Sequence, residues 1–115
     1  MNQTIVTGNL GADPEVFYSS EGNPIVSFSL AFRSGKDKTN WIKVVCFKKQ
    51  AEVAERHLHK GAKVLISATL DQRKWEGDDG QQKSNFQLIA NQIEFLKTDG
   101  RGFENGAQNP EGAPF

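Results

Sequence analysis

Two short segments of the chain combine large aromatic side chains with cations. The first, residues 41–47, reads WIKVVCF, and its β-branched and aromatic content favours a strand. Side chains alternate between the two faces of a strand, so Trp41, Lys43 and Phe47 are expected to share one face. Aromatic rings stack on bases of any identity at about 1–3 kcal/mol per base, while lysine and arginine pair with phosphates. This face therefore has the chemistry of a surface for single-stranded nucleic acid.

The second segment is Arg73-Lys74-Trp75, which stands at the expected tip of a β-hairpin. Packing against a neighbouring element is the alternative to binding for an aromatic residue on a strand. A tryptophan between cations and a hairpin tip has little to pack against. The face of residues 41–47 that suits a core is the other one, which carries Ile42, Val44 and Cys46. We therefore predict that Trp41, Phe47 and Trp75 bind rather than pack.

Four lysines near the aromatic strand are further candidates for phosphate contacts. Lys36 and Lys38 lie in a polar segment before it, and Lys48 and Lys49 begin the helix predicted after it. Lysines are usually solvated surface charges, and this is the alternative for each of the four. Their closeness to the aromatic strand favours a role for one or two of them in binding.

No catalytic site, metal site or cofactor is predicted. His57 and His59 are two residues apart on a predicted helix and point to different sides, unlike the i, i+4 pair that a helical metal site prefers. The carboxylates are scattered along the chain. The one cysteine, Cys46, has no partner for a disulfide or a CxxC pair, so a reducing compartment is expected.

The candidate residues are carried by a succession of strands with one helix. Alternating apolar residues predict strands over 4–10 (resuming at 16–18 after a bulge), 25–33, 40–47, 62–75 and 84–96, with a bulge near Asn91-Gln92. Residues 34–39 are predicted as a loop, and 48–59 as a helix with Gly61 as its C-terminal cap. Five strands with a short helix between the third and the fourth are typical of an all-β OB-fold barrel.

The length of 115 residues suits one domain, which we place at residues 1–97, followed by a disordered tail over 98–115. The formal net charge of zero conceals an uneven distribution. Residues 1–97 carry 13 Lys and Arg against 11 Asp and Glu, a net +2, and residues 98–115 carry a net −2. With no apolar run of about 18 residues and no signal-peptide pattern, a soluble cytoplasmic protein without a membrane partner is expected.

Residues 6–15, 41–47, 51–54 and 73–75 resemble the signature segments of bacterial single-stranded DNA-binding proteins, and the resemblance extends over residues 2 to about 97. It implies a homotetramer of OB folds, around which single-stranded DNA is wrapped during replication, recombination and repair. The implied location is the nucleoid, and a bacterial or an organellar origin fits equally. The resemblance implies that bases stack on Trp41, Phe47 and Trp75. It also implies that Lys43, Arg73 and Lys74 make cationic contacts with the DNA.

Three features depart from that family. The loop over 33–38 lacks a tryptophan that members often carry, and Asp71 stands where a basic residue is common. The family's tail ends in an acidic run and a Pro-Phe pair that recruits replication and repair proteins. This chain keeps Pro114 and Phe115 with only Glu111 nearby. The Pro-Phe ending could arise by chance in a disordered tail. We expect instead a degenerate motif for binding partner proteins, because a terminal Phe offers an apolar ring and a carboxylate.

Two other functions fit the same fold. A primosomal replication accessory protein resembles a tailless, usually dimeric version of this family, and both Pro114-Phe115 and the 73–75 segment argue against it. A metal-dependent nuclease on an OB barrel is an alternative of a different class, since fold does not fix function. It would need clustered carboxylates to hold a metal, and the sequence shows no such cluster.

Overall fold

The computed structural model describes residues 1–97, with Lys97 described by its backbone alone. These residues form six strands and one helix: β1 (Thr4–Leu10), β2 (Glu15–Tyr18), β3 (Pro24–Gly35), β4 (Lys38–Phe47), α1 (Lys48–His57), β5 (Lys63–Glu76) and β6 (Gln82–Lys97). In this part of the chain no helix has the length and apolar character needed to cross a membrane. The predicted tail over 98–115, including Pro114 and Phe115, lies outside the described residues.

The strands form one mixed sheet in the order β1-β5-β6-β4-β3-β2. The sheet closes on itself because Asn9 and Leu10 of β1 also pair with Ala31 and Leu30 of β3. β1 and β2 both pair with β3, so together they fill one of five positions around the barrel. The pairing of β4 with β6 is parallel and the other pairings are antiparallel. The OB-fold barrel predicted from the sequence is confirmed.

The core lies inside the barrel and under the helix. Strand alternation sends one set of side chains inward, and the largest of those fully buried are Leu30, Ile66, Leu88, Val26, Val44, Val64 and Cys46. α1 lies against β3, β4 and β6, where its Ala51 and Ala54 are fully buried. Burying one aliphatic side chain of this size stabilises the fold by about 1.5–3 kcal/mol.

Barrel closure depends on a glycine in β1. A Cβ added to Gly8 would collide with the backbone carbonyl oxygen of Ala31 and lie 3.0 Å from Cγ of Leu30. β1 therefore approaches β3 more closely at this point than a side chain would allow. Gly8 lies inside β1, whose bounds agree with the strand predicted over residues 4–10.

Two predicted boundaries were wrong. The polar 34–39 loop is replaced by a tight turn, because β3 continues to Gly35 and pairs there with Lys38 of β4. A solvated two-stranded ribbon needs no apolar side chains, so the polar composition of this stretch was a poor guide to its backbone. The helix ends at His57, and Gly61 lies in the turn before β5, where its N–H donates a 3.0 Å hydrogen bond to the carbonyl of Leu10.

The predicted bulge in the last strand is confirmed. The register between β5 and β6 moves from Ser67 opposite Gln92 to Ala68 opposite Ala90, so Asn91 is the extra residue. Its side-chain amide donates a 3.2 Å hydrogen bond to Oγ1 of Thr69. Beyond this point, β5 and β6 continue as a long hairpin arm whose residues 70–76 and 82–86 are exposed.

Candidate nucleic-acid interface

The outward face of β4 carries the side chains that the sequence predicted there. Trp41 is 60% exposed, Phe47 is 42% exposed, and Lys43 between them is exposed as well. Val45 has the same strand parity but is buried, between Ser27 of β3 and Ile89 of β6. The face therefore has an apolar floor with a cation and two aromatic rings standing above it.

Strand pairing extends this face onto the hairpin arm. Lys43 is opposite Gln87 of β6, and Gln87 is opposite Asp71 of β5. Because every second residue of β5 points the same way, Arg73 and Trp75 belong to the face of Lys43. We call this surface, formed by Trp41, Lys43, Phe47, Arg73 and Trp75, the aromatic face.

Trp75 is partly covered by its own neighbour on the arm. The guanidinium carbon of Arg73 lies 4.8 Å from the ring centroid, a cation–π contact, and Trp75 is 37% exposed. A base that stacks on Trp75 would therefore have to use the indole face that Arg73 does not cover. Arg73 was predicted as a phosphate contact, and in the structure it also orients the ring.

The orientation of Trp41 depends on Gly11, in the break between β1 and β2. A Cβ added at Gly11 would collide with Cζ3 of the indole and lie 2.8 Å from its Cη2. The outer edge of the ring therefore rests directly on the Gly11 backbone.

Gly11→Ala is expected to weaken binding of single-stranded DNA while leaving the barrel folded. The new methyl group meets only the far end of an exposed side chain, which can rotate away, so the main loss is the Trp41 stack, worth about 1–3 kcal/mol. Titration of the variant with oligo(dT), together with a thermal melt, checks both parts. A large fall in melting temperature would mean that the Trp41 ring is a packing element.

The other predicted cations are divided between two faces. Lys38 and Lys74 have the opposite strand parity to Trp41 and Trp75, so each points away from the aromatic face. Lys36 is exposed in the β3–β4 turn, where its carbonyl accepts a 2.7 Å hydrogen bond from Arg33. The roles of all three in binding stay predictions, and the parity of Lys38 and Lys74 counts against them.

Lys48 and Lys49 follow Phe47 directly and are exposed. Lys48 has a φ of +52°, a left-handed conformation that is uncommon for residues other than glycine. This sharp change of direction ends β4 and begins α1 beside the aromatic face. Within residues 1–97, none of these lysines forms an ion pair with a carboxylate, which leaves their charges available to a phosphate.

Two exposed residues on the same side of the sheet were missed by the sequence reasoning. Lys83 of β6 pairs with Trp75 across the arm. Phe17 of β2 is 53% exposed and pairs with Ile25 of β3, which itself pairs with Phe47. Each could have been found only from the register of strand pairing, which composition alone does not give.

The remaining reactive groups have other surroundings. Burial raises the pKa of the Cys46 thiol to about 12, so the thiol stays neutral near pH 7 and packs as a small apolar group. Asp71 accepts a 3.1 Å hydrogen bond from the side-chain amide of Gln87. In the part of the chain that the structure describes, no three His, Cys, Asp or Glu side chains are grouped so that they could hold a metal ion.

Comparison with known proteins agrees with this architecture. The model of the "Single-strand binding protein family" matches residues 1–96. Two single-stranded DNA-binding proteins of Neisseria meningitidis, from a serogroup A and a serogroup B strain, are each 32% identical over 123 residues, which span 100% of this chain and 67% of the relative. A Plasmodium falciparum SSB solved in complex with ssDNA superposes with a TM-score of 0.76 at 26% identity, covering 84% of this chain and 96% of the other. The chain therefore belongs to the single-strand binding protein family.

Proposed function

We propose that this protein binds single-stranded DNA without strong sequence preference and protects it during replication, recombination and repair. The observation that carries the proposal is the aromatic face, where exposed rings and cations share one side of the sheet. Stacking does not depend on base identity, and phosphate contacts read no sequence, so the binding tolerates any sequence. The relatives named as single-stranded DNA-binding proteins, and the SSB solved with ssDNA, support the choice of ligand.

Membership of the single-strand binding protein family also supports a homotetramer. If the ligand is single-stranded DNA, the protein is expected at the nucleoid.

We also propose that binding involves no chemical step. A nuclease on this barrel would need a carboxylate cluster for its metal, and within residues 1–97 no three or more His, Cys, Asp or Glu side chains are grouped to hold a metal ion. Cleavage of single-stranded DNA by the purified protein with Mg²⁺ would overturn this part of the proposal. Recruitment of replication or repair proteins by Pro114 and Phe115 stays a prediction, outside the described residues.

Oligo(dT) is expected to quench the intrinsic fluorescence of the protein, because its two tryptophans both lie on the aromatic face. Repeating the titration at several salt concentrations measures how much of the binding free energy is electrostatic. If Lys43, Lys48, Lys49, Arg73 and Lys83 each neutralise one phosphate, log K falls with log[salt] at a slope of about −3.5 per protomer. Unchanged emission at saturating oligonucleotide would rule out the aromatic face as the binding site.

A further inference from the structure

Phe17 and Phe47 stand in one row across three strands. Phe17 of β2 pairs with Ile25 of β3, and Ile25 pairs with Phe47 of β4, so all three side chains point outward. The next residue of β2 toward the N-terminus, Val16, points the other way and packs against the core. The orientation of Phe17 is therefore fixed by the register of β2.

Packing within the protomer does not account for the two rings. Phe17 is 53% and Phe47 is 42% exposed, and within residues 1–97 neither ring contacts another aromatic ring. Single exposed apolar residues are common on proteins and need no explanation. Two phenylalanines in one row, with a half-buried isoleucine between them, form a continuous apolar patch instead.

The spacing of the row suits a flat ligand. Neighbouring strands are about 4.8 Å apart, so the backbones that carry the two rings are separated by about 10 Å. A base stacked between two rings needs about 7 Å, twice the ~3.4 Å spacing of stacked nucleotides. Ile25, shorter and half-buried, closes the bottom of the gap.

The charges on the two sides of this row differ. Lys48 and Lys49 follow Phe47 at one end of the row, and both are exposed. On the other side, Glu15 of β2 is outward-facing and exposed, opposite Ser27 in the next row. A base held between the two rings would therefore carry its phosphate toward the two lysines and away from the carboxylate.

We infer that Phe17 and Phe47 are the two walls of a slot that holds one base of the bound strand. This rests on the proposed binding of single-stranded DNA and adds to it a stacking position on β2, outside the aromatic face. The slot accepts any base, because its walls and floor are apolar and offer no hydrogen-bonding groups from side chains.

Phe17→Ala tests the slot, with oligo(dT) affinity measured by tryptophan quenching, since both tryptophans remain. We expect Kd to rise at least ~5-fold with the melting temperature nearly unchanged. Phe17→Leu keeps an apolar side chain without a ring and should lose about as much, whereas Phe17→Tyr should keep most of the affinity. The matched control is Tyr18→Ala, which removes a neighbouring exposed ring of opposite parity and should leave Kd unchanged.

Two further measurements ask whether the rings share one base. An oligonucleotide containing 5-iodouracil should photo-crosslink to both Phe17 and Phe47, and not to Tyr18. The fold losses of Phe17→Ala and Phe47→Ala should fail to multiply in the double variant, because an unclamped base leaves the remaining wall more often. Full multiplication, or the lack of a Phe17 crosslink, would overturn the shared slot.

The failure of this inference is distinguishable from the failure of the proposed function. Normal binding by Phe17→Ala and Phe17→Leu, combined with weakened binding by Trp41→Ala, would remove the slot and keep the aromatic face. Normal binding by Trp41→Ala would reject the aromatic face as the site, and only the absence of binding by the unmodified protein would reject the proposed function itself.

Discussion

Gly8→Ala is expected to lower the free energy of unfolding by at least about 1–3 kcal/mol, the cost of forcing extra volume into a packed site. The added Cβ would collide with the carbonyl oxygen of Ala31 and press on Leu30, which is fully buried. Neither neighbour can rotate away, since one is backbone and the other is enclosed. The strain can be relieved only by moving β1 away from β3, where the barrel closes.

Thermal and urea unfolding measure this effect, and each kcal/mol corresponds to a shift in melting temperature of about 4–8 °C for a domain of this size. Gly35→Ala is the matched control, because a Cβ there meets no atom within 4 Å. Both substitutions add one methyl group to a strand of the sheet, but only the buried Gly8 meets a close neighbour, whereas Gly35 is exposed at the end of β3. Equal stability of the two variants would show that β1 and β3 are not held this tightly together.

The side chains of β4 could be assigned to their faces from the sequence alone. Alternation of large polar or aromatic residues with small apolar ones marked Val44 and Cys46 as core and Trp41 as exposed. The bulge at Asn91 was predictable for the same reason, because an extra residue changes the phase of an alternating pattern. Both predictions rest on local periodicity and on burial of one face.

The division of the hairpin arm was not predicted, although the rule that gives it was available. Arg73, Lys74 and Trp75 were taken together as one cluster at a hairpin tip. The strand predicted over 62–75 already contained them, and β5 does run to Glu76, so alternation sends Lys74 to the other face. A polar, exposed ribbon still alternates, and grouping the three residues by composition ignored that alternation.

Contacts between strands that are distant in the chain could not be predicted from the sequence. The need for glycine at position 8 arises from Ala31, 23 residues further along the chain. Phe17 is a candidate only because β3 lies between β2 and β4 and brings it into the row of Phe47. Register of this kind is set by pairing over the whole barrel, and no single segment encodes it.

The double variant Trp41→Ala, Trp75→Ala is expected to weaken binding of single-stranded DNA by about 2–6 kcal/mol, with each lost stack contributing about 1–3 kcal/mol. The two effects should add, because β6 separates the strands that carry the two tryptophans and the side chains share no partner. This corresponds to a rise in Kd of roughly 30-fold to more than 10⁴-fold. Both residues are exposed, so the barrel itself should remain folded.

The double variant contains no tryptophan, so its affinity must be measured by the anisotropy of a labelled oligonucleotide rather than by quenching. Phe86→Ala is the matched control. Phe86 is 52% exposed on the same arm, but it pairs with Gln72 and so points to the face opposite Trp75. Stacking on the aromatic face predicts unchanged binding by this control, whereas nonspecific contact with any exposed ring predicts a loss similar to that of Trp75→Ala. A loss in Phe86→Ala as large as in the double variant would therefore place the bound strand on the wrong side of the arm and reject the aromatic face.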